Sequence, residues 1–287
     1  MNKRFITIII ALAAVCGRAS AQPKNAHCPT PNSRDAGKMN VVDTTRIRVW
    51  YAFNADNVKD VNTYIDQQRL DIGKRVIKYY SDFLFRSDSL IGAWAKSHPG
   101  SRTAPRFLGN GGKKPDRWSE YEYSDLFISG GKLTEYATMP QSLGKYNAYY
   151  TETYPLQQWK MGAETQTILG HRCQKATCHW RGRDYVAWFT SAIPLKSGPW
   201  KFGGLPGLIM KIYDTKRLYT WEAVSVENGS FPIYQLEERF FKDSDRKKVL
   251  KMQRDWNVKY NELSGRMYNG TMQVRTERYP YDQLELE

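Results

Sequence analysis

Apolar and polar positions alternate with a period of two around residue 50. Ile47, Val49, Tyr51 and Phe53 fall on one side, and Arg46, Arg48, Trp50 and Ala52 on the other. This period predicts a strand buried mainly on one face. Further runs predict strands at Arg69 to Tyr80, Glu120 to Ile128, Lys132 to Ala137, Thr165 to Leu169, Arg172 to Trp180, Asp184 to Thr190, Gly207 to Tyr213 and Leu218 to Val226. Ser129-Gly130-Gly131, Gly170, Arg181-Gly182-Arg183 and Asp214-Thr215-Lys216 separate them, and connections this short favour antiparallel hairpins. The predicted fold is mainly β: a single domain with a curved antiparallel sheet or partial barrel, plus a C-terminal helix.

Two segments break the period. Residues 99–115 hold three prolines, Gly100, Gly109, Gly111 and Gly112 with Lys113-Lys114, which reads as a long exposed loop. Residues 244–263 carry Val249, Met252, Trp256 and Tyr260 at helical spacing, with Ser244 or Asp243 as the cap. The apolar stripe predicts a helix docked on the domain. No internal repeat or linker divides the chain, so residues 22–287 read as one domain.

The first residues set the expected address. Lys3 and Arg4 precede an apolar run from Phe5 to Val15, and Ala19-Ser20-Ala21 offers small residues for cleavage, as in a secretory signal peptide over residues 1–21. The run is well short of the roughly 20 residues that a spanning helix needs, so no transmembrane segment is expected after cleavage. Cys16 leaves open a lipidated alternative, although Val15 stands where a small residue should precede the cysteine. With Lys3, Arg4 and Arg18 removed, the formal charge falls from +14 to +11. Such a field favours anionic partners. For an exported protein these are envelope lipids or glycans and not nucleic acid. A hydrophobic content of 41%, with 9 Trp, 19 Tyr and 11 Phe, supports a packed core.

The segment Gly203-Gly204-Leu205-Pro206-Gly207-Leu208-Ile209 follows Ile193-Pro194 and Gly198-Pro199. It holds no acid, base or nucleophile, so it can fix a turn or offer an apolar contact but moves no proton. Pro206-Gly207 predicts a tight turn with positive φ at Gly207. Together with Gly170-His171-Arg172-Cys173, Arg181-Gly182-Arg183 and Ala187-Trp188-Phe189-Thr190, the segment resembles the GLPGLI family of exported Bacteroidetes proteins. Leu70-Asp71-Ile72-Gly73 and Asp88-Ser89 resemble its N-terminal half. The resemblance implies a periplasmic or envelope-associated accessory protein, often beside an outer-membrane TonB-dependent receptor. It implies no catalytic residue and no cofactor.

Chemistry-bearing candidates are few. In an oxidising envelope Cys173 and Cys178 form a disulfide if Gln174 to Thr177 turn, with Cys28 as the alternative partner. In one extended strand the two would stand roughly 16 Å apart and could not join. His171, Cys173, Cys178 and His179 are also soft ligands for zinc or copper. No nucleophile elbow or metalloprotease motif is present, and Asp88, Asp125, Glu152 and Asp184 read as turn, cap or ion-pair residues. Trp188, Phe189, Trp200, Phe202, Leu205, Pro206 and Leu208 are candidates for an apolar or lipid-like ligand in the hollow of the sheet. Trp94, Trp118, Tyr149, Tyr150 and Trp159 are candidates for stacking on sugars, and core packing competes for every one of these aromatics. The reading is a non-catalytic accessory or binding protein, with a metal-handling protein or, more remotely, a hydrolase as alternatives.

Overall fold

The computed structural model describes residues 39–101, 124–139, 144–264, 266–268, 271–273 and 283–287. The expected signal peptide, Cys16, Cys28, Trp118 and most of the 99–115 loop lie outside them. Thirteen strands form one open, curved sheet that does not close into a barrel. In chain order the first elements are β1 (Met39–Phe53), β2 (Asp66–Gly73), β3 (Ile77–Ser81), α1 (Asp82–Ser97), β4 (Ser124–Ser129), β5 (Lys132–Ala137) and β6 (Ala148–Thr153). There follow β7 (Lys160–Ile168), β8 (His171–Trp180), β9 (Arg183–Thr190), β10 (Leu208–Asp214), β11 (Thr220–Asn228), β12 (Pro232–Leu236), β13 (Lys242–Asp243) and α2 (Arg246–Ser264). A short hairpin, β14 (Arg266–Tyr268) and β15 (Thr271–Gln273), stands apart.

The sheet runs β13-β6-β5-β4-β3-β2-β1-β11-β10-β9-β8-β7, with β12 paired to the first half of β1. Every junction is antiparallel except β13 with β6. Three of the predicted turns are two-residue loops with both residues at positive φ: Gly130-Gly131, Leu169-Gly170 and Arg181-Gly182. That twist matches the flanking strands, which is why glycine recurs there.

Several elements differ from the sequence reading. The run Arg69 to Tyr80 is two strands, because the Gly73 N–H closes a turn on the Val76 carbonyl at 2.9 Å. α1 had no expected counterpart. Its N-cap is Ser81, whose hydroxyl accepts from the Leu84 N–H at 3.1 Å, and Asp82 occupies the first turn. α2 is capped by Asp245, which accepts from Lys248 N–H at 2.9 Å, and not by Asp243 or Ser244. Its Val249, Met252 and Trp256 dock as predicted, against Ala137, Met139, Ala148 and Tyr150.

Alternation sorts the two faces of the sheet. One carries Val49, Tyr51, Leu70, Ile72, Tyr79 and Leu126 into the main core. The other carries Arg48, Arg69 and Lys78, buried against Asp71, Asp82 and Asp125. Buried charges of this kind persist only when paired and hydrogen-bonded. Arg48 meets Asp71 through two guanidinium nitrogens, at 2.6 and 3.0 Å, and also lies over the Phe231 ring.

Candidate functional site

The residues between β9 and β10 fold back into the hollow of the curved sheet. Trp200, Phe202, Leu205 and Leu208 are all 3% exposed or less and belong to the main core with Phe189. Phe202 lies within 4.7 to 6.5 Å, ring to ring, of Tyr185, Trp200, Trp180, Trp221 and Trp159. Trp159 Nε1–H donates to the Gly203 carbonyl at 2.8 Å, and Gln157 bonds both the Lys201 carbonyl and the Gly203 N–H. This segment is a plug. The contact residues predicted for a ligand are therefore core residues, apart from exposed Pro206 and half-buried Trp188.

Local geometry explains the glycine-proline spelling. Pro206 centres a three-residue turn closed from Gly207 N–H to Leu205 carbonyl at 2.8 Å. Gly207 does not take the predicted positive φ. Its requirement is close approach: a Cβ there would lie 2.1 Å from the Thr190 carbonyl oxygen. Gly207→Ala is expected to lower stability by about 1–3 kcal/mol, read by thermal denaturation, because backbone must move on one side or the other. An unchanged melting curve would contradict that contact. Trp200 holds φ +51, a left-handed conformation that bulky residues rarely adopt, and its ring is packed by stacking on Trp221 and a T-shaped contact with Trp180.

Around Trp200 the plug leaves a cavity of only about 30 Å³, edged by Gln68, Tyr79, Ser81 and Ser124. It has room for water rather than for a lipid chain or a sugar ring. Beside it on β2, Asp66 is fully buried. Burial pushes its carboxyl up to about 8, even though Ser81 and Gln68 donate to it.

Beneath the plug is a closed ionic cluster. Lys201 reaches Glu135 and the Tyr150 hydroxyl, each at 2.7 Å, and also Glu285. Burial works to raise the Glu135 carboxyl, but Lys201, with hydrogen bonds from Tyr150 and Ser124, outweighs it and holds the group well below its ordinary range. Arg181 links Glu285 to Glu152, and Arg246 from α2 also grips Glu285. These side chains neutralise one another in the interior, which is a structural arrangement. Sequence patterning missed it because its members are up to 150 positions apart, on β5, the plug and the last residues.

The cysteine expectations are corrected. Cys173 and Cys178 are free, buried thiols. No turn forms over Gln174 to Thr177; β8 pairs residue by residue with β9 from Gln174 to Trp180. Five residues of strand span roughly 16 Å, against the roughly 4.4–6.8 Å of a bridged pair. Burial pushes the thiols up, to about 11 for Cys173 and about 12 for Cys178, where Asp184 adds to the effect. The predicted metal ligands do not converge either. Both thiols point into the core, His171 is half-buried at the strand start, and exposed His179 sits 2.7 Å from Asp184. Among the described residues no three His, Cys, Asp or Glu side chains gather at one point. Asp125 and Glu152 are ion-pair residues of Lys78 and Arg181, and Asp184 is a hydrogen-bond partner of His179. The sugar-stacking candidates are dispersed: Trp94 stacks on His98, Tyr150 is in the ionic cluster, and Trp159 braces the plug.

Among the described residues an open groove lies beside the plug. A row of paired residues, Thr165, Gln174 and Phe189, crosses β7, β8 and β9. With Arg172, Ser191 and Pro206 it lines a groove of about 320 Å³. The plug ends at Pro206, so the apolar part of the hollow is filled and its polar end is open. Arg172 is exposed there as a cation, beside hydroxyl and amide groups.

Residues 180–211 match the family model described as a protein of unknown function (Porph_ging), an uncharacterised Bacteroidetes-type family. The match spans β9 and the plug. No curated protein matches the chain. Two crystal forms of PNGF-II, in space groups C2 and P21, are similar at TM-scores of 0.45 and 0.44, with 15% identity in each case. The similarity covers 74% of this chain and 33% and 34% of those chains, so the protein spans about a third of their length.

Proposed function

We propose that this is an exported, non-catalytic binding protein of the cell envelope, of the GLPGLI type, that engages an anionic group of an envelope lipid or glycan at the open groove. The observation that carries the reading is the division of the concave face. The apolar hollow is filled by Trp200, Phe202 and Leu205, and the interior charges are paired with one another. The accessible concavity is polar and presents Arg172 with Gln174, Thr165 and Ser191 around it. A guanidinium with neighbouring hydroxyl and amide groups suits a phosphate or carboxylate. The formal net charge of +11 left after removal of residues 1–21 adds long-range attraction for such a ligand. Export rests on the character of residues 1–21, and service beside an outer-membrane receptor is the accessory role that accompanies it.

The test compares the protein with its Arg172→Ala variant. Flotation with vesicles containing anionic phospholipid and titration with an acidic oligosaccharide, both at 0.15 M salt, should show saturable binding to one of the two. Arg172→Ala should weaken that binding at least tenfold and leave the melting temperature unchanged. Binding that is equal for the two proteins, or absent with both ligands, overturns the reading.

A further inference from the structure

The segment Gln283–Glu287 enters the core through Leu284 and Glu285 without belonging to any strand of the sheet. Leu284 is 4% exposed in the main core, and the Glu285 side chain is fully buried. The Arg183 guanidinium donates to the Leu284 carbonyl at 3.0 Å and to the Gln283 carbonyl. One backbone pair joins the segment to the β8-β9 turn, Leu286 N–H to Arg181 carbonyl at 3.0 Å. Leu286 rests on Gly182, where a Cβ would come within 2.7 Å of it. Leu284, Glu285 and Leu286 thus each have their own seat: an apolar hole, a carboxylate clamp and a bare glycine floor.

Charge defines the clamp. Three cations, Arg181, Lys201 and Arg246, converge on Glu285, while Glu135 answers Lys201 and Glu152 answers Arg181. Emptied of Glu285, the socket would hold three cations against two carboxylates, an excess positive charge at a site where Lys201 is fully buried and Arg246 only partly exposed, which is costly. It therefore demands an occupant with a carboxylate between two apolar residues. Held mainly by side chains, the segment can leave without breaking a sheet ladder.

We propose that this socket is an exchangeable peptide-recognition site, filled in cis by Gln283–Glu287 and able to take the same segment from a second copy of the chain. Exchange of an identical element between protomers is a low-cost route to a dimer.

The test uses full-length protein carrying Leu284→Ala with Glu285→Gln, which weakens the resident segment, and a fluorescent peptide of sequence Gln-Leu-Glu-Leu-Glu. Anisotropy should show saturable binding, at least tenfold weaker for the peptide with Gln in place of its first Glu. The unaltered protein should bind the peptide at least 100-fold more weakly, because the resident segment competes at an effective concentration in the millimolar range. Native mass spectrometry of the two proteins mixed should show a heterodimer that the double variant alone does not form. Should the double variant fail to fold, Leu286→Ala, which alters a half-exposed residue, serves as the receptor with the same readouts. Peptide binding indifferent to the Glu, equal binding by unaltered protein, or no binding and no heterodimer overturns the proposal.

Discussion

Lys201→Met will lower the stability of the protein by about 3–5 kcal/mol, the cost of breaking a buried ion pair by removing one partner. Methionine keeps the apolar stem of the side chain but removes the ammonium group that holds Glu135 ionised. Glu285 retains Arg181 and Arg246, whereas Glu135 is left with only hydrogen-bond donors. Most of the loss should return in the double variant Lys201→Met with Glu135→Gln, because no uncompensated carboxylate then remains buried beside the plug. Urea denaturation at pH 7 measures both. Equal midpoints for Lys201→Met and the unaltered protein would show that the cluster contributes nothing net.

The second large effect is a dependence on pH. Folded Asp66 holds its proton until about pH 8. In an unfolded chain an aspartyl carboxyl releases it near 4. Between those values the folded state binds the extra proton, so stability falls as pH rises, by up to about 5 kcal/mol across the window. Asp66→Asn keeps an acceptor for the Ser81 hydroxyl and has nothing to ionise. Its stability should be nearly level between pH 5.5 and 8.5, where the unaltered protein loses several kcal/mol. Parallel curves for the two proteins would place the ionisation of Asp66 elsewhere.

The strands were the legible part of the sequence. Lys132 to Ala137 was bounded correctly because a glycine pair starts it and alternation runs its length, and the hairpins at Gly170 and Gly182 were marked by glycine at positive φ. α1 was not legible, because Asp82, Ser87 and Asp88 are buried polar residues that interrupt any apolar stripe. The role of the plug followed from its composition only in part. Bulky aliphatics between glycines suggested packing, but that Phe202 stands among five aromatic rings, four of them from outside the plug, depends on the curvature of the whole sheet. The groove was invisible for the same reason: Thr165, Gln174 and Phe189 look unrelated until strand register aligns them.

The pairing of β1 with β11 sets the order in which the molecule can be built. β1 meets β2, the next strand in the chain, across residues 54–65, but its other edge waits for a partner in which Ile47 stands opposite Asn228. A ladder closed across that separation forms late, since the entropy of the intervening loop opposes it until other contacts shorten the search. Until then β1 presents an open, largely apolar edge, and the aromatic plug has no finished wall to lie against. Folding of this chain is therefore governed by the arrival of its last third, and a chain cut short before β11 would expose a template for aggregation rather than a smaller domain.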